Sequence, residues 1–113
     1  MAARGVAAGI FRNQGQVCVA GSRVYIQRNV FNEVLKKICS VAEKIKISHG
    51  FDESADMGPL ASRAHLNKVC SYIQRGIDDG AKLVSGGTTL EGEGFFLKPT
   101  IFSTEENLSL IHI

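Results

Sequence analysis

Two amphipathic helical patterns constrain the fold of this chain more than any other feature. From residue 30 to about residue 47, apolar side chains recur three and four positions apart: Phe31, Val34, Leu35, Ile38, Val41, Ala42 and Ile45. After Ser62 a second apolar stripe follows the same spacing: Leu66, Val69, Cys70, Ile73 and Ile77. Each helix needs another element against which to bury its apolar face, so the two patterns predict a layered fold.

Polar and glycine residues predict where these helices begin and end. Asn29 and Ser62 are candidate N-caps for the first and second pattern. Gly80 is expected to end the second helix. A shorter helix is predicted over residues 2–13, where apolar residues also follow helical spacing, and Gly15 is expected to end it.

Three short segments have the composition of strands. Residues 23–27 (RVYIQ) alternate polar and apolar side chains, residues 82–85 form a short apolar segment, and residues 95–102 are extended but interrupted by Pro99. Glycine and proline mark residues 48–62 as a loop, and residues 86–94 as another. The order helix, strand, helix, helix, strand, strand indicates an α/β layered domain.

Composition excludes several classes of function. The 113 residues carry a formal net charge of +2, and the basic residues are scattered, which does not favour a nucleic-acid partner. No apolar run reaches the length of a membrane span. The 3 histidines are dispersed without metal-ligand spacing. The 3 cysteines form no C-x-x-C motif, so we expect the cytoplasm or another reducing compartment.

The three cysteines lie in different sequence environments. Cys39 and Cys70 lie on or beside apolar helical stripes, where a free cysteine is typically a small core residue. Cys18 lies in the polar, glycine-rich stretch FRNQGQVCVAGSR, residues 11–23, between a predicted helix and a predicted strand. Backbone N–H groups in such a turn can stabilise a thiolate or an oxyanion, so Cys18 is the candidate nucleophile.

The same stretch resembles the active-site cysteine signature of the aldehyde dehydrogenase superfamily. The matching positions are Phe11, Asn13, Gln14, Gly15, Gln16, Cys18, Ala20, Gly21, Ser22 and Arg23. The resemblance continues in the family's order through the helix at 29–47, the loop at 51–62, the AKLVSGG strand and the GFFLKPTIF segment. It covers about residues 2–102.

The resemblance implies a mechanism and a cofactor, NAD or NADP. Cys18 would attack an aldehyde to form a thiohemiacetal, hydride transfer would leave a thioester, and a Glu would activate the water that releases the acid. The oxyanion would be held by the Cys18 N–H and by an Asn side chain. Asn13 belongs to the cysteine signature and is not that Asn. The resemblance places the dinucleotide-binding domain, the oxyanion Asn and the base Glu upstream of this sequence, and a second Glu downstream.

The resemblance also suggests two cofactor contacts. His65 and Lys68 match positions on the helix after the Gly-Pro loop that lie near the cofactor in some members of the family. The alternative for Lys68 is a solvated residue on the polar helix face, and His65 can simply belong to the first helical turn. Gly86 and Gly87 are interpreted as a hairpin-like loop rather than a phosphate loop, because no strand–glycine–helix unit surrounds them.

We therefore predict that residues 1–107 are part of an aldehyde dehydrogenase catalytic domain. Its class would be Rossmann-like layered α/β, incomplete at both ends. Residues 108–113 are predicted to be a non-native tail. Elsewhere, Ser48-His49-Gly50 stands where the family usually has a Gly-Asn/Asp-Pro turn. The parent protein is expected to be a homodimer or homotetramer that acts on a small-molecule aldehyde, with no nucleic acid and no membrane.

The choice of aldehyde and of NAD over NADP stays open, and the segment GPLASRAH resembles that of arylacetaldehyde-oxidising members of the family. The isolated chain is expected to be inactive. Two alternatives remain: a short product that only binds a partner, and a cysteine-dependent esterase or acyl-transfer activity.

Overall fold

A computed structural model of the chain describes residues 1–104, which fall into two compact units. The first unit, Met1–Gly58, contains helix α1 (Ala2–Phe11), 3₁₀ turns at Arg12–Gly15 and Arg28–Val30, and helix α2 (Phe31–Glu43). The second unit begins at Pro59 and contains helix α3 (Arg63–Asp78) and strands β1 (Lys82–Ser85) and β2 (Ile101–Ser103). The predicted tail at 108–113 lies outside the described residues.

Helices α1 and α2 pack on each other to form the core of the first unit. The buried positions of α1 are Ala3 and Ala7, and those of α2 are Ile38 and Ala42. In each helix the two positions are four residues apart and therefore lie on one face. The alanines of α1 carry no bulky side chain, so the sequence favours a close approach of the two backbones at this contact.

The start and the end of α2 differ from the prediction. Asn29 is not its N-cap: Arg28–Val30 forms a 3₁₀ turn, and Val30 occupies the cap position without a side-chain hydrogen bond. The helix ends at Glu43 rather than near residue 47, because Ile47 pairs with Met57 in a parallel bridge. The apolar pattern predicted a helix up to residue 47. Its last residue, Ile47, instead pairs with Met57 outside the helix.

The prediction that residues 23–27 form a strand is wrong within the described residues 1–104. These residues belong to no strand, and Tyr25 is 84% exposed. Alternation of polar and apolar side chains fits a strand, but a strand also needs a hydrogen-bonded neighbour. The sheet found within residues 1–104 contains only β1 and β2.

Helix α3 begins and ends where the sequence predicts. The Ser62 side chain accepts a hydrogen bond from the His65 backbone N–H at 3.1 Å. At the other end Gly80 adopts a φ of 91°, its N–H donates to the Ile77 carbonyl at 3.0 Å, and the Ala81 N–H donates to the Gly76 carbonyl at 2.9 Å. This pair of bonds is a Schellman motif, which satisfies carbonyls that the helix end leaves free.

Strands β1 and β2 form an antiparallel pair at the end of the described chain. Lys82 pairs with Ser103 and Leu83 with Phe102, and the register shifts before Ser85 pairs with Ile101. The extended segment predicted at 95–102 is shorter as a strand, because Pro99 cannot donate a ladder hydrogen bond; Leu97 forms an isolated bridge with Thr89. Helices and strands thus both occur, as predicted for an α/β chain. Within residues 1–104 no helix is long and apolar enough to cross a membrane.

Candidate functional site

Cys18 lies in an exposed turn between the two helices of the first unit. The turn spans residues 17–20 and is closed by the Ala20 N–H, which donates to the Val17 carbonyl at 2.9 Å. The following N–H, that of Gly21, donates to the Gly9 carbonyl of α1 at 3.2 Å. The turn is therefore tied back to α1, and Cys18 is exposed.

The backbone just before this turn is left-handed over three consecutive residues. Asn13 has φ 49° and ψ 44°, Gln14 has φ 56° and ψ 26°, and Gly15 has φ 74°. This conformation costs roughly 1–2 kcal/mol per non-glycine residue. Two hydrogen bonds hold it: the Gln16 N–H donates to the Asn13 carbonyl at 2.9 Å, and Asn13 Nδ2 donates to the Gln16 carbonyl at 3.1 Å. Asn13 thus has a local role within residues 13–16.

Gly15 is required by this geometry as well as by its positive φ. A Cβ at this position would lie 3.1 Å from the Ile10 carbonyl oxygen, which is tighter than ordinary van der Waals contact. The chain therefore passes close to the end of α1 before it reaches the cysteine. The glycine of the signature has a backbone reason that is independent of the chemistry.

The backbone N–H of Cys18 makes no hydrogen bond with any residue from 1 to 104. A free N–H beside the sulfur can donate to an oxygen that develops on a carbon bound to that sulfur. This arrangement matches the requirement for one donor of an oxyanion site. Cys18 thus carries both an exposed thiol and a backbone N–H without a partner among residues 1–104.

The other two cysteines are partly buried in helices. Cys39 belongs to α2 and Cys70 to α3. Burial raises the pKa of the Cys39 thiol, and the nearby charge of Glu43 adds to the effect, since both disfavour a thiolate. Their environments agree with the structural role that their sequence positions indicate.

His65 and Lys68 lie one turn apart on α3, in the second unit, whereas Cys18 belongs to the first. His65 is half-buried and Lys68 is exposed. An imidazole and an ammonium group one turn apart on a helix can both donate hydrogen bonds to an anionic group. The described residues of the second unit include no glycine-rich strand-to-helix turn beside them. A cofactor contact by His65 and Lys68 stays a prediction.

Gly86 and Gly87 occupy the turn that follows β1. The Gly87 N–H donates to the Thr100 hydroxyl at 3.0 Å, and a Cβ at Gly86 would lie only 2.0 Å from the Pro99 carbonyl oxygen. These glycines therefore allow two segments of the hairpin loop to approach each other. This use agrees with the interpretation of the pair as a hairpin-like loop.

The sequence reasoning missed a polar cluster formed by Lys46, Asp52 and Ser54. Lys46 Nζ lies 3.0 Å from Asp52 Oδ2 and also donates to the Ser54 hydroxyl, which in turn donates to Asp52 Oδ1 at 2.5 Å. Hydrogen bonds from Ser54, then from Lys46, hold the pKa of Asp52 well below its usual range. The spacing D-x-S, typical of a side-chain-closed turn, was the available signal.

Comparison with known proteins places the chain in a family. The model of the Aldehyde dehydrogenase family matches residues 1–112. The chain belongs to the aldehyde dehydrogenase family. It is 43% identical over 106 residues to phenylacetaldehyde dehydrogenase of Pseudomonas fluorescens, covering 93% of this chain and 21% of that protein.

Two further members of the aldehyde dehydrogenase family illustrate the range of the match. The chain is 40% identical over 94 residues to cytosolic 10-formyltetrahydrofolate dehydrogenase of Xenopus tropicalis, covering 83% of this chain and 10% of that protein. The NAD+ complex of aldehyde dehydrogenase from Bacillus cereus superposes with a TM-score of 0.91 at 33% identity, over 97% of this chain and 23% of that one. This chain thus spans between 10% and 23% of the length of these relatives.

Proposed function

We propose that this chain supplies the nucleophile of an NAD(P)-dependent oxidation of an aldehyde to a carboxylic acid, and that the nucleophile is Cys18. The observation that carries the proposal is an exposed cysteine with a free backbone N–H, held in a turn by a strained segment. Membership of the aldehyde dehydrogenase family supports the reaction class. A strained backbone next to a reactive group is the pattern expected where local geometry is selected for function.

The chemistry uses the sulfur twice. The Cys18 thiolate adds to the carbonyl carbon, the C=O electron pair moves to oxygen, and the Cys18 N–H donates a hydrogen bond to that oxygen. The chemistry that NAD(P)+ supplies when bound is acceptance of a hydride. Departure of a hydride from that carbon re-forms the C=O bond and leaves a thioester on Cys18. Water then adds to the thioester carbonyl and expels the Cys18 thiolate, which releases the acid. The Glu that activates this water in the family has its proposed place upstream of residue 1.

His65 and Lys68 are proposed cofactor contacts. Their side chains share one face of α3, where an imidazole N–H and an ammonium can donate to phosphate or ribose oxygens. No step of the chemistry is assigned to them.

For the substrate we propose an arylacetaldehyde. The name of the Pseudomonas fluorescens relative, phenylacetaldehyde dehydrogenase, and the segment GPLASRAH support this class. Comparison of kcat/KM for phenylacetaldehyde and for an aliphatic aldehyde of similar size tests the assignment, and equal values would remove it. We further propose a reducing compartment and a homodimeric or homotetrameric parent protein, and that the 113-residue chain is inactive alone.

The test uses the whole protein encoded by the reading frame that contains this sequence. The wild type, Cys18→Ala and the control Cys39→Ala are compared by NAD(P)H absorbance with an aldehyde substrate. We expect Cys18→Ala to lower kcat by about 10³-fold or more, since loss of a nucleophile removes the covalent route. Cys39→Ala should retain activity within about threefold, as expected for a residue remote from chemistry. Full activity in Cys18→Ala would overturn the assignment.

The exposed thiol also makes a cofactor-independent esterase or acyl-transfer activity a second candidate. Hydrolysis of an activated ester is measured without any nicotinamide cofactor, in the same three proteins. If ester turnover depends on Cys18 while no aldehyde is oxidised, the acyl-transfer function is favoured. If neither reaction occurs, the non-catalytic binding module becomes the better account.

A further inference from the structure

Gln14 reaches from the left-handed segment before Cys18 to the far end of the loop that follows α2. A Cβ placed on Gly58 would lie 3.0 Å from Gln14 Nε2, so the amide end of Gln14 lies directly against the Gly58 backbone. Both residues are half-buried and both belong to the first unit. A side chain at Gly58 would therefore displace the amide end of Gln14.

The left-handed conformation of Gln14 is unfavourable, so a stabilising contact is needed to hold it. It is the central residue of the left-handed segment 13–15, with φ 56°, and it has a Cβ that makes this conformation unfavourable. The hydrogen bonds between Asn13 and Gln16 close the segment on either side of Gln14. The Gln14 side chain itself has its amide end next to Gly58.

The other side of the contact is held in place by the loop's own hydrogen bonds. The Lys46 carbonyl accepts bonds from the N–H groups of Asp56 at 2.8 Å and Met57 at 3.1 Å, and the Ser48 N–H donates to the Met57 carbonyl at 3.1 Å. Met57 is buried, and the Lys46 N–H donates to Asp56 Oδ2 at 2.8 Å. Gly58 therefore follows a segment that is anchored just beyond the end of α2.

We propose that Gln14 is a positioning residue for Cys18, and that it acts by bracing the left-handed segment against Gly58. A change in the backbone of Gln14 passes through Gly15 and Gln16 directly into the turn at 17–20, which carries the thiol. The inference rests on the proposed function of Cys18, and extends it to a residue that does not touch the substrate. The loop at 48–58 thereby becomes part of the support of the nucleophile.

Two substitutions at Gln14 distinguish the effect of its backbone conformation from the effect of its side-chain contact with Gly58. Gln14→Gly removes the amide and leaves a residue that adopts the left-handed region without a steric clash, so the variant is expected to fold, but the segment then has neither the contact with Gly58 nor the restricted backbone of a residue with a Cβ. Gln14→Asn keeps a residue that tolerates the left-handed region but is one methylene too short to reach Gly58. Gly58→Ala tests the contact from the opposite side, and Gln27→Ala, an exposed glutamine of the same unit, is the control.

The first readout needs no enzymatic activity. In the whole protein encoded by the reading frame that contains this sequence, amide hydrogen exchange is followed at Gln16, Ala20 and Gly21, whose N–H groups close the segment around Cys18. We expect at least a tenfold loss of protection at these amides in Gln14→Gly, Gln14→Asn and Gly58→Ala. The Ile45 amide, which bonds to the Ala42 carbonyl, should be unchanged, and so should every amide in Gln27→Ala.

The second readout is kinetic and uses the whole protein. A positioning role predicts that kcat for aldehyde oxidation falls about tenfold in both Gln14 variants while KM changes little, because misplacement of a reacting group affects the chemical step. Gly58→Ala combined with Gln14→Gly should cost no more than either change alone, as expected for two residues in one contact.

The two readouts separate the failure of this inference from failure of the proposed function. Unchanged protection and unchanged kcat in both Gln14 variants would overturn the positioning role, even if the wild type oxidises aldehydes. Lost protection with unchanged kcat would likewise reduce Gln14 to a structural role and overturn it. If the wild type oxidises no aldehyde while the variants lose amide protection, the proposed function of Cys18 is contradicted. The contact between Gln14 and Gly58 would still stand.

Discussion

At the scale of single residues, the three cysteines differ in what their surroundings allow. Cys18 is exposed in a turn, whereas Cys39 and Cys70 are partly covered by helix packing. The pKa of Cys39 is raised by burial, which lowers its thiolate fraction at neutral pH. Reactivity should therefore follow position in the fold rather than residue type.

Alkylation by iodoacetamide measures this difference directly. Cleavage after lysine and arginine isolates the cysteines in NQGQVCVAGSR, ICSVAEK and VCSYIQR, so mass spectrometry follows each one separately. We expect Cys18 to react first and Cys39 several-fold more slowly, since burial disfavours its thiolate. The difference should vanish in concentrated urea. Equal rates in the folded chain would contradict the environments described for these thiols.

Asp52 gives a prediction about pH. Hydrogen bonds from Ser54 and Lys46 lower the pKa of Asp52 in the folded chain, so its ionised form stabilises the fold above the pKa of an unfolded aspartate, about 3.9. That contribution is lost as the pH falls below this value towards the lowered pKa. Asp52→Asn should thus decrease Tm slightly at pH 7, with the difference from wild type shrinking in acid below about pH 4.

Glu53→Gln is the matched control for Asp52→Asn. It removes the same charge from the same loop, but the Glu53 side chain is exposed. We expect no difference in Tm at either pH. A decrease as large as that of Asp52→Asn would mean that net charge, and not the cluster of Lys46, Asp52 and Ser54, accounts for the effect.

At the scale of elements, helix α3 is the one whose limits are set locally. Its N-terminal N–H group at His65 is satisfied by Ser62, and its C-terminal carbonyls are satisfied by the N–H groups of Gly80 and Ala81. Both ends depend on residues within a few positions of the helix. The helix boundaries therefore follow from sequence signals that need no tertiary partner.

Ser62→Ala tests the N-terminal cap. Loss of the bond to the His65 N–H should lower the free energy of unfolding by about 1 kcal/mol, measured by urea denaturation. Ser71→Ala is the control, since Ser71 lies within the same helix and its hydroxyl donates only to the Lys68 carbonyl at 2.7 Å. The control should change stability by no more than about 0.5 kcal/mol. Equal losses in both variants would contradict a specific cap.

At the scale of the whole molecule, the buried core is small in side-chain volume. The buried apolar residues among those described are Ala3, Ala7, Ile38, Ala42, Met57, Leu60, Leu66, Ile73 and Ala81, of which 4 are alanines. Within residues 1–104, no side chain is completely shielded from solvent. Val19, Tyr25 and Phe51 are strongly exposed. Apolar burial is the main favourable contribution to folding, so little of it is available to this chain alone.

This core predicts a marginal fold for the 113-residue polypeptide. We expect a free energy of unfolding below the range of about 5–15 kcal/mol that is typical of native proteins, measured by urea denaturation. The exposed apolar side chains should also bind the dye ANS. A steep, cooperative transition with more than about 5 kcal/mol of stability and no dye binding would contradict this expectation.

The sequence alone determined the features whose causes are local. Helix α3 runs from its Ser62 cap to Gly80, the amphipathic stripe of α2 is present over most of its predicted length, and the glycines around Cys18 mark a turn. In each case the deciding hydrogen bond or torsion lies within a few residues. The assignment of Cys18 as the nucleophile rests on the same kind of local signal, its polar, glycine-rich surroundings, and stays a prediction.

Tertiary structure decided the features that depend on segments distant in sequence. Pairing of Ile47 with Met57 ends α2 early, and the lack of a paired neighbour in the described sheet leaves residues 23–27 outside any strand. The contact between Gln14 and Gly58 brings together two residues whose sequence neighbourhoods give no sign of each other. Hydrophobic periodicity indicates which face of an element is apolar. It does not indicate which distant segment of the chain will pack or pair there, and these features depend on that distant segment.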